Sequence, residues 1–153
     1  MKVIGLIFLA VAALIAAATM LPCKMSSQIG MHESVAVASI KAIISAEETY
    51  RATYGRYADS LAKLGGAEPC RMSAETACFL DSKLCSGKKA GYRFALSVNG
   101  GAYVVGTAPE RFGRSGVRMF CSMQDDVVRM DPNNGGSTTP PSFEQCAKLS
   151  PLQ

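Results

Sequence analysis

Charge is absent from one stretch of this chain and concentrated in none of the rest. Between Lys2 and Lys24 no residue is charged, and from Val3 to Met20 only Gly5 and Thr19 interrupt the apolar side chains. Such a run is too apolar for the core of a soluble domain in a chain of 153 residues. Elsewhere 16 Lys and Arg are interspersed with 12 Asp and Glu, for a net charge of +4. With no block of like charge, nucleic acid is not expected as a partner. Histidine is limited to His32, and there is no CxxC, CxxCH or Cys/His cluster at zinc spacing, so metal or haem ligation has no motif behind it. The serines lack a nucleophile-elbow pattern and His32 falls on the polar side of an expected helix, so no catalytic residue is nominated and no enzyme activity is expected.

The apolar run is about 27 Å long as a helix, close to the thickness of a bilayer core. Three fates suit it: a retained membrane helix, a secretory signal cleaved after Ala16, Ala17 and Ala18, or a leader for lipid attachment at Cys23. The third lacks a small residue before the cysteine, where Pro22 stands. Pro22 kinks a helix without forbidding it in a membrane. Lys2 and the amino terminus favour a cytoplasmic start, partly offset by Lys24.

Beyond Pro22, Val37, Ile40 and Ile44, and Ala36, Ile43, Tyr50 and Tyr54, recur at intervals built from three and four, while His32, Glu33, Lys41, Glu47, Glu48 and Arg51 supply polar positions. The pattern predicts an amphipathic helix ending at Gly55. If continuous with the apolar run, the rod is roughly 80 Å long. Asp59 or Ser60 caps a short turn ended by Gly65 and Gly66, and "FLDSKLCSG" reads as another short element. "YRFALSV" and "AYVVGTA" alternate as strands about an Asn99-Gly100 turn, and "GVRMFCS" with "DVVRM" forms a second pair. The expected fold is α+β: a long N-terminal helix, membrane-spanning then amphipathic, packed on a small antiparallel sheet of about four strands. The chain divides into an apolar anchor at 1–22, a folded domain at 23–131 and a flexible C-terminal tail at 132–153.

Six cysteines behind an apolar N-terminus point to export into an oxidising compartment and to disulfides. Cys70 and Cys78 are close enough to close a small loop, Cys121 is expected to pair with Cys85 or Cys146, and one cysteine besides Cys23 is left over. Asp125, Asp126, Asp131, Asn133 and Asn134 gather oxygen donors of the kind calcium takes, although their spacing matches no EF-hand and such turn residues are usually just solvated.

"HESVAVASIKAIISAEETYRATYGRYADSLAKLGG", "FLDSKLCSGKKAGYRFAL" and "AYVVGTAPERFGRSGVRMFCSMQDDVVRMDP" resemble, in order and spacing, the periplasmic domain of type IV pilin-like proteins, especially the major pseudopilins of type II secretion. The resemblance spans about residues 22 to 131, and Pro22 falls where these proteins carry a helix proline. It implies a single-pass subunit of the bacterial inner membrane, its domain on the periplasmic side, surrounded by membrane lipid and associating with itself or with other pilin or pseudopilin subunits. It also implies a pilus or pseudopilus as the assembled structure, and calcium in a C-terminal loop, for which Asp125, Asp126, Asp131 and Asn133 are the candidates. The family pattern has a prepilin leader ending in glycine, then an aromatic residue, and shortly afterwards a glutamate that assists docking. Here Met1 stands at the aromatic position and Gly5 at that of the glutamate. A carboxylate there is costly in hydrocarbon unless paired, which is what lets it direct docking. Its absence leaves an alternative on the same fold: a non-polymerising binding module, membrane-anchored or lipid-tethered.

Overall fold

The computed structural model describes the backbone of residues 2–152 and the side chains from Ser27 onward. The side chains of the anchor expected at 1–22, and that of Cys23, lie outside the described residues. Helix α1 runs from Lys2 to Tyr54 without a break. It stops where expected, at Gly55, whose φ of 75° suits glycine and whose N–H donates to the Arg51 carbonyl at 2.8 Å. Among the described residues, the Ser27–Tyr54 part of this helix is long and apolar enough to cross a membrane. In the fold this same segment is the core helix: Ala36, Ile40, Ile43, Ala46 and Tyr50 are buried against Tyr92, Phe94, Tyr103, Val105 and Phe120.

Two single-turn helices follow, α2 (Leu61–Leu64) and α3 (Ser82–Cys85). The Asp81 carboxylate caps α3 by accepting from the Lys83 and Leu84 N–H groups. The sheet has strands β1 (Lys88–Lys89), β2 (Tyr92–Asn99), β3 (Ala102–Pro109), β4 (Met119–Met123), β5 (Arg129–Asp131) and β6 (Ser150–Pro151), each antiparallel to the next and in chain order. The fold is α+β, with six strands rather than the expected four. The two additions are two residues long, one a pair of lysines and the other containing proline, so neither carries an alternating pattern. Pro151 is tolerated because β6 is an edge strand, where a missing N–H breaks no ladder. The long hairpin also turns one residue later than expected: Asn99 pairs with Ala102, and Gly100 and Gly101, with φ of 59° and 84°, make the two-residue turn.

Strand register assigns the two faces of the sheet. Tyr92, Phe94 and Leu96 lie opposite Pro109, Thr107 and Val105 on the face that meets α1, and Phe120 continues it. Gly106, Val104 and Cys121 belong to the opposite face. That face is covered by the chain's own C-terminus. The segment 132–153, expected to be a flexible tail, carries helix α4 (Phe143–Ala147) and β6. A reciprocal cap between Ser142 and Gln145 starts α4, and the Leu152 N–H donates to the Val128 carbonyl at 2.8 Å. Phe143, Cys146 and Leu149 form a second small core with Val104, Cys121 and Met123. At Gly106 a Cβ would stand 2.6 Å from the Pro141 carbonyl oxygen, so only glycine lets the strap lie this close to the strand.

Among the described residues two disulfides fasten these parts. Cys70 pairs with Cys78, and Cys121 pairs with Cys146 rather than Cys85. The second bridge joins the central strand β4 to α4 across 25 residues of chain. Closing a loop of that size removes unfolded-state entropy worth about 3.5 kcal/mol. Replacing Cys121 and Cys146 together by Ala should lower unfolding stability by about that amount and open the segment between Asp131 and Ser150 to limited proteolysis. An unchanged digestion pattern would show that α4 and β6 hold the strap without the bridge.

Candidate functional site

The sheet domain grips α1 through two carboxylates on the helix's inner stripe. Glu33, Ala36, Ile40, Ile43, Glu47 and Tyr50 follow one another at intervals of three and four, so both acids share the face that packs on the sheet. Both had been expected among the polar positions, yet Glu33 is 3% exposed and Glu47 fully buried. Their place on the stripe was readable from the spacing. Their charge argued the other way, because buried carboxylates are rare unless partnered.

Glu33 has its partners. Its Oε1 accepts from the Val117 and Arg118 backbone N–H groups at 3.0 and 3.1 Å, and its Oε2 from Arg118 Nε and Nη2 at 2.8 and 2.5 Å. Burial alone would push this carboxyl up, but the Arg118 side chain, the two N–H groups and the Arg118 charge outweigh it and hold its pKa below the ordinary value. The Arg118 side chain is 43% exposed, so its charge also reaches solvent. Beside the pair lies a groove of about 290 Å³ lined by Glu33, Ser34, Val37, Arg118, Phe120 and Leu152. One helix residue earlier, His32 Nδ1 lies 3.1 Å from the Ser115 carbonyl oxygen. His32 is thus half-buried against the β3–β4 connection instead of standing free on the polar side of the helix.

Glu47 sits near the other end of the stripe in a less favourable setting. Its Oε2 accepts from the Ala58 N–H at 2.9 Å, while its Oε1 is buried without a partner. Desolvation raises its pKa to about 7, the Ala58 bond opposes the rise, and the charges of Glu48 and Asp59 add to it. Around it the Tyr57 hydroxyl donates to Glu48 and accepts from Arg51, and the Tyr57 and Tyr103 rings meet edge to face at 4.7 Å.

The four calcium candidates do not converge on one point. Both oxygens of Asp125 are engaged by the Arg129 guanidinium, at 3.0 and 2.5 Å, so a cation there would face a fixed positive charge. Asp126 accepts from the Tyr103 hydroxyl at 3.4 Å, and Asp131 from the Asn133 backbone N–H at 2.6 Å. The Asn133 side chain is spent on both backbone groups of Ser137. Among the described residues no three His, Cys, Asp or Glu side chains are grouped to hold a metal ion. Asp126 meets Tyr103 and the other donors close their own turns, so the set does not fit calcium. Among the described residues Cys85 is a free thiol; burial and then the charge of Asp81 push its pKa up. What the arrangement can do is hold a helix rigidly to a sheet and present grooves and charged loops beside it.

The two carboxylates predict opposite responses to acid. Glu33, with a lowered pKa, stabilises the fold above the ordinary carboxyl range and loses that contribution as pH falls below 4.5. Glu47 behaves in reverse: from pH 4.5 to about 7 the unfolded chain has released the proton that the folded chain keeps, so stability falls as pH rises through that window. The change is about 3 kcal/mol. Glu47→Gln should flatten the melting temperature across that window; a slope equal to that of the unaltered protein would assign the pH dependence elsewhere. Glu33→Gln should cost about 2 kcal/mol at neutral pH and speed hydrogen exchange at the Val117 and Arg118 amides. Unchanged exchange there would mean that the contact does not secure the helix.

Comparison with protein-family models, with curated proteins and with solved structures finds no match to this chain, so its functional reading rests on these residues and their geometry.

Proposed function

We propose that this chain is a membrane-anchored, pilin-like structural subunit, held by the apolar start of α1 in a bacterial inner membrane with its sheet domain on the periplasmic side. The observation that supports the reading best is the division of α1. Its second half spends an inner stripe on the sheet from Glu33 to Tyr50, and the helix continues toward Lys2 as a sequence with no charge between Lys2 and Lys24. Apolar surface of that length is stable in lipid or against other copies of itself and costly in water. The two disulfides agree with an oxidising compartment outside the cytoplasm. On this reading the β2–β3 hairpin, the cystine loop and the C-terminal strap form a rigid head, and assembly is the business of the helix.

A second reading on the same fold is favoured by Gly5. A helix without a carboxylate near its start lacks the charge that the resemblance assigns to subunit docking, and such a chain would present its head to an envelope partner without polymerising. Crosslinking of the full chain in native membranes separates the two. A ladder of multimers from the unaltered protein supports the structural subunit. Monomer alone, with Gly5→Glu restoring the ladder, would favour the non-polymerising module. Release of the full chain from membranes by alkaline carbonate would sink both.

A further inference from the structure

The contacts of α1 orient the sheet domain. His32 and Glu33 meet Ser115, Val117 and Arg118, whereas Glu47 meets Ala58 and lies close to the Tyr57–Tyr103 pair. Tyr92 pairs with Pro109 and Met119 with Asp131, so the start of β2, the end of β3, the start of β4 and the end of β5 share the end facing the apolar half of the helix. The connection Glu110–Arg118 is therefore the segment of the head hydrogen-bonded to α1 nearest to that half.

Two of its cations are uncommitted. Arg111 and Arg114 are exposed, and among the described residues neither side chain makes an ion pair or a hydrogen bond. Phe112 between them is 44% exposed. The backbone that carries them is well braced: the Gly113 N–H donates to the Gly116 carbonyl, the Arg114 and Ser115 N–H groups donate to the Arg111 carbonyl, and the Arg111 N–H donates to Ser115 Oγ. With His32, Glu110 and Ser115, the two arginines line a hollow of about 260 Å³. The Glu110 carboxylate is turned to Lys88 at 3.7 Å.

The geometry points to the Arg111–Phe112–Arg114 turn as a contact for anionic phospholipid headgroups, setting the head against the membrane from which α1 emerges. This rests on the membrane-anchored reading above. A hydrocarbon core takes about 20 helical residues, which places its outer edge near Pro22, about 15 Å along the axis from His32. The headgroup layer fills about 5–7 Å of that distance. The remainder is about 8–10 Å, comparable to the reach of an extended arginine and to the Debye length of about 8 Å at physiological salt, and an ordinary helix tilt of about 20° shortens it on one side. Phosphate diesters are the chemistry two free guanidiniums recognise, and the exposed apolar Phe112 ring between them is of the kind that faces the headgroup boundary in membrane-surface segments.

The chain contains no tryptophan, so Phe112→Trp in the full-length protein supplies a single reporter. The protein would be placed in nanodiscs of phosphatidylcholine alone or mixed with phosphatidylglycerol, each doped with a lipid bearing a quencher on its headgroup. Quenching at least about two-fold stronger with the anionic lipid, reduced by high salt and abolished by Arg111→Gln with Arg114→Gln, is the expected result. Equal quenching in the two lipids, or quenching indifferent to the arginine changes, overturns the proposal while leaving the anchored reading intact. A chain that fails to enter nanodiscs overturns both. Hydrogen exchange of the loop amides in the unaltered protein provides a check free of substitution: slower exchange between Arg111 and Ser115 with anionic lipid supports the contact, and identical exchange counts against it.

Discussion

One helix of 53 residues serves as the core of a small sheet domain, and its stripe of three- and four-residue spacing is what ties the head to it. Ala36, Ile40, Ile43, Ala46 and Tyr50 fill the space between α1 and the sheet, and each removes apolar surface from water. A sheet this small, with β1 and β6 only two residues long, could not shield its inner face by itself. The helix is therefore not an appendage to the domain. It is half of its core, and whatever holds the first half of α1 also holds the head.

Burying acids on that stripe gives the grip direction as well as strength. Apolar contacts alone would tolerate a slide of one helical turn, since the stripe repeats. Four hydrogen bonds from Val117 and Arg118 to the Glu33 carboxylate do not, because a displaced Glu33 would leave a charge in a dry site. Glu47 marks the other end of the contact with one good hydrogen bond and one orphaned oxygen. The helix is thus registered firmly where it leaves the head toward its apolar half and less favourably near its C-terminus.

The outer face of the sheet is protected by a different means. Residues 132–152 fold back across β3 and β4, fastened by Cys146 and by the pairing of β6 with β5. Without that strap, Val104 and Cys121 would face solvent and the sheet would expose an apolar patch. The many Gly, Asn and Pro residues at 132–141 read as a flexible loop because they form no periodic pattern. Their tight turns, such as Asn133 closing onto Ser137, are held by hydrogen bonds that only a folded neighbour makes worthwhile.

Much of the architecture is written in local patterns. The end of α1 at Gly55, the β2–β3 hairpin, the α+β class and the Cys70–Cys78 bridge follow from periodicity, turn chemistry and short sequence separation, which act within a few residues and need no distant partner. The choice of Cys146 over Cys85 for Cys121, the two extra strands, the strap and the burial of Glu33 and Glu47 were decided only by tertiary structure. Most depend on groups brought together across tens of residues, 84 in the case of Glu33 and Val117, and the short β1 forms only because β2 pairs with it. A carboxylate on a helix looks solvated until the chain returns to its side with an arginine and two free N–H groups, and nothing in its own neighbourhood announces that they will arrive.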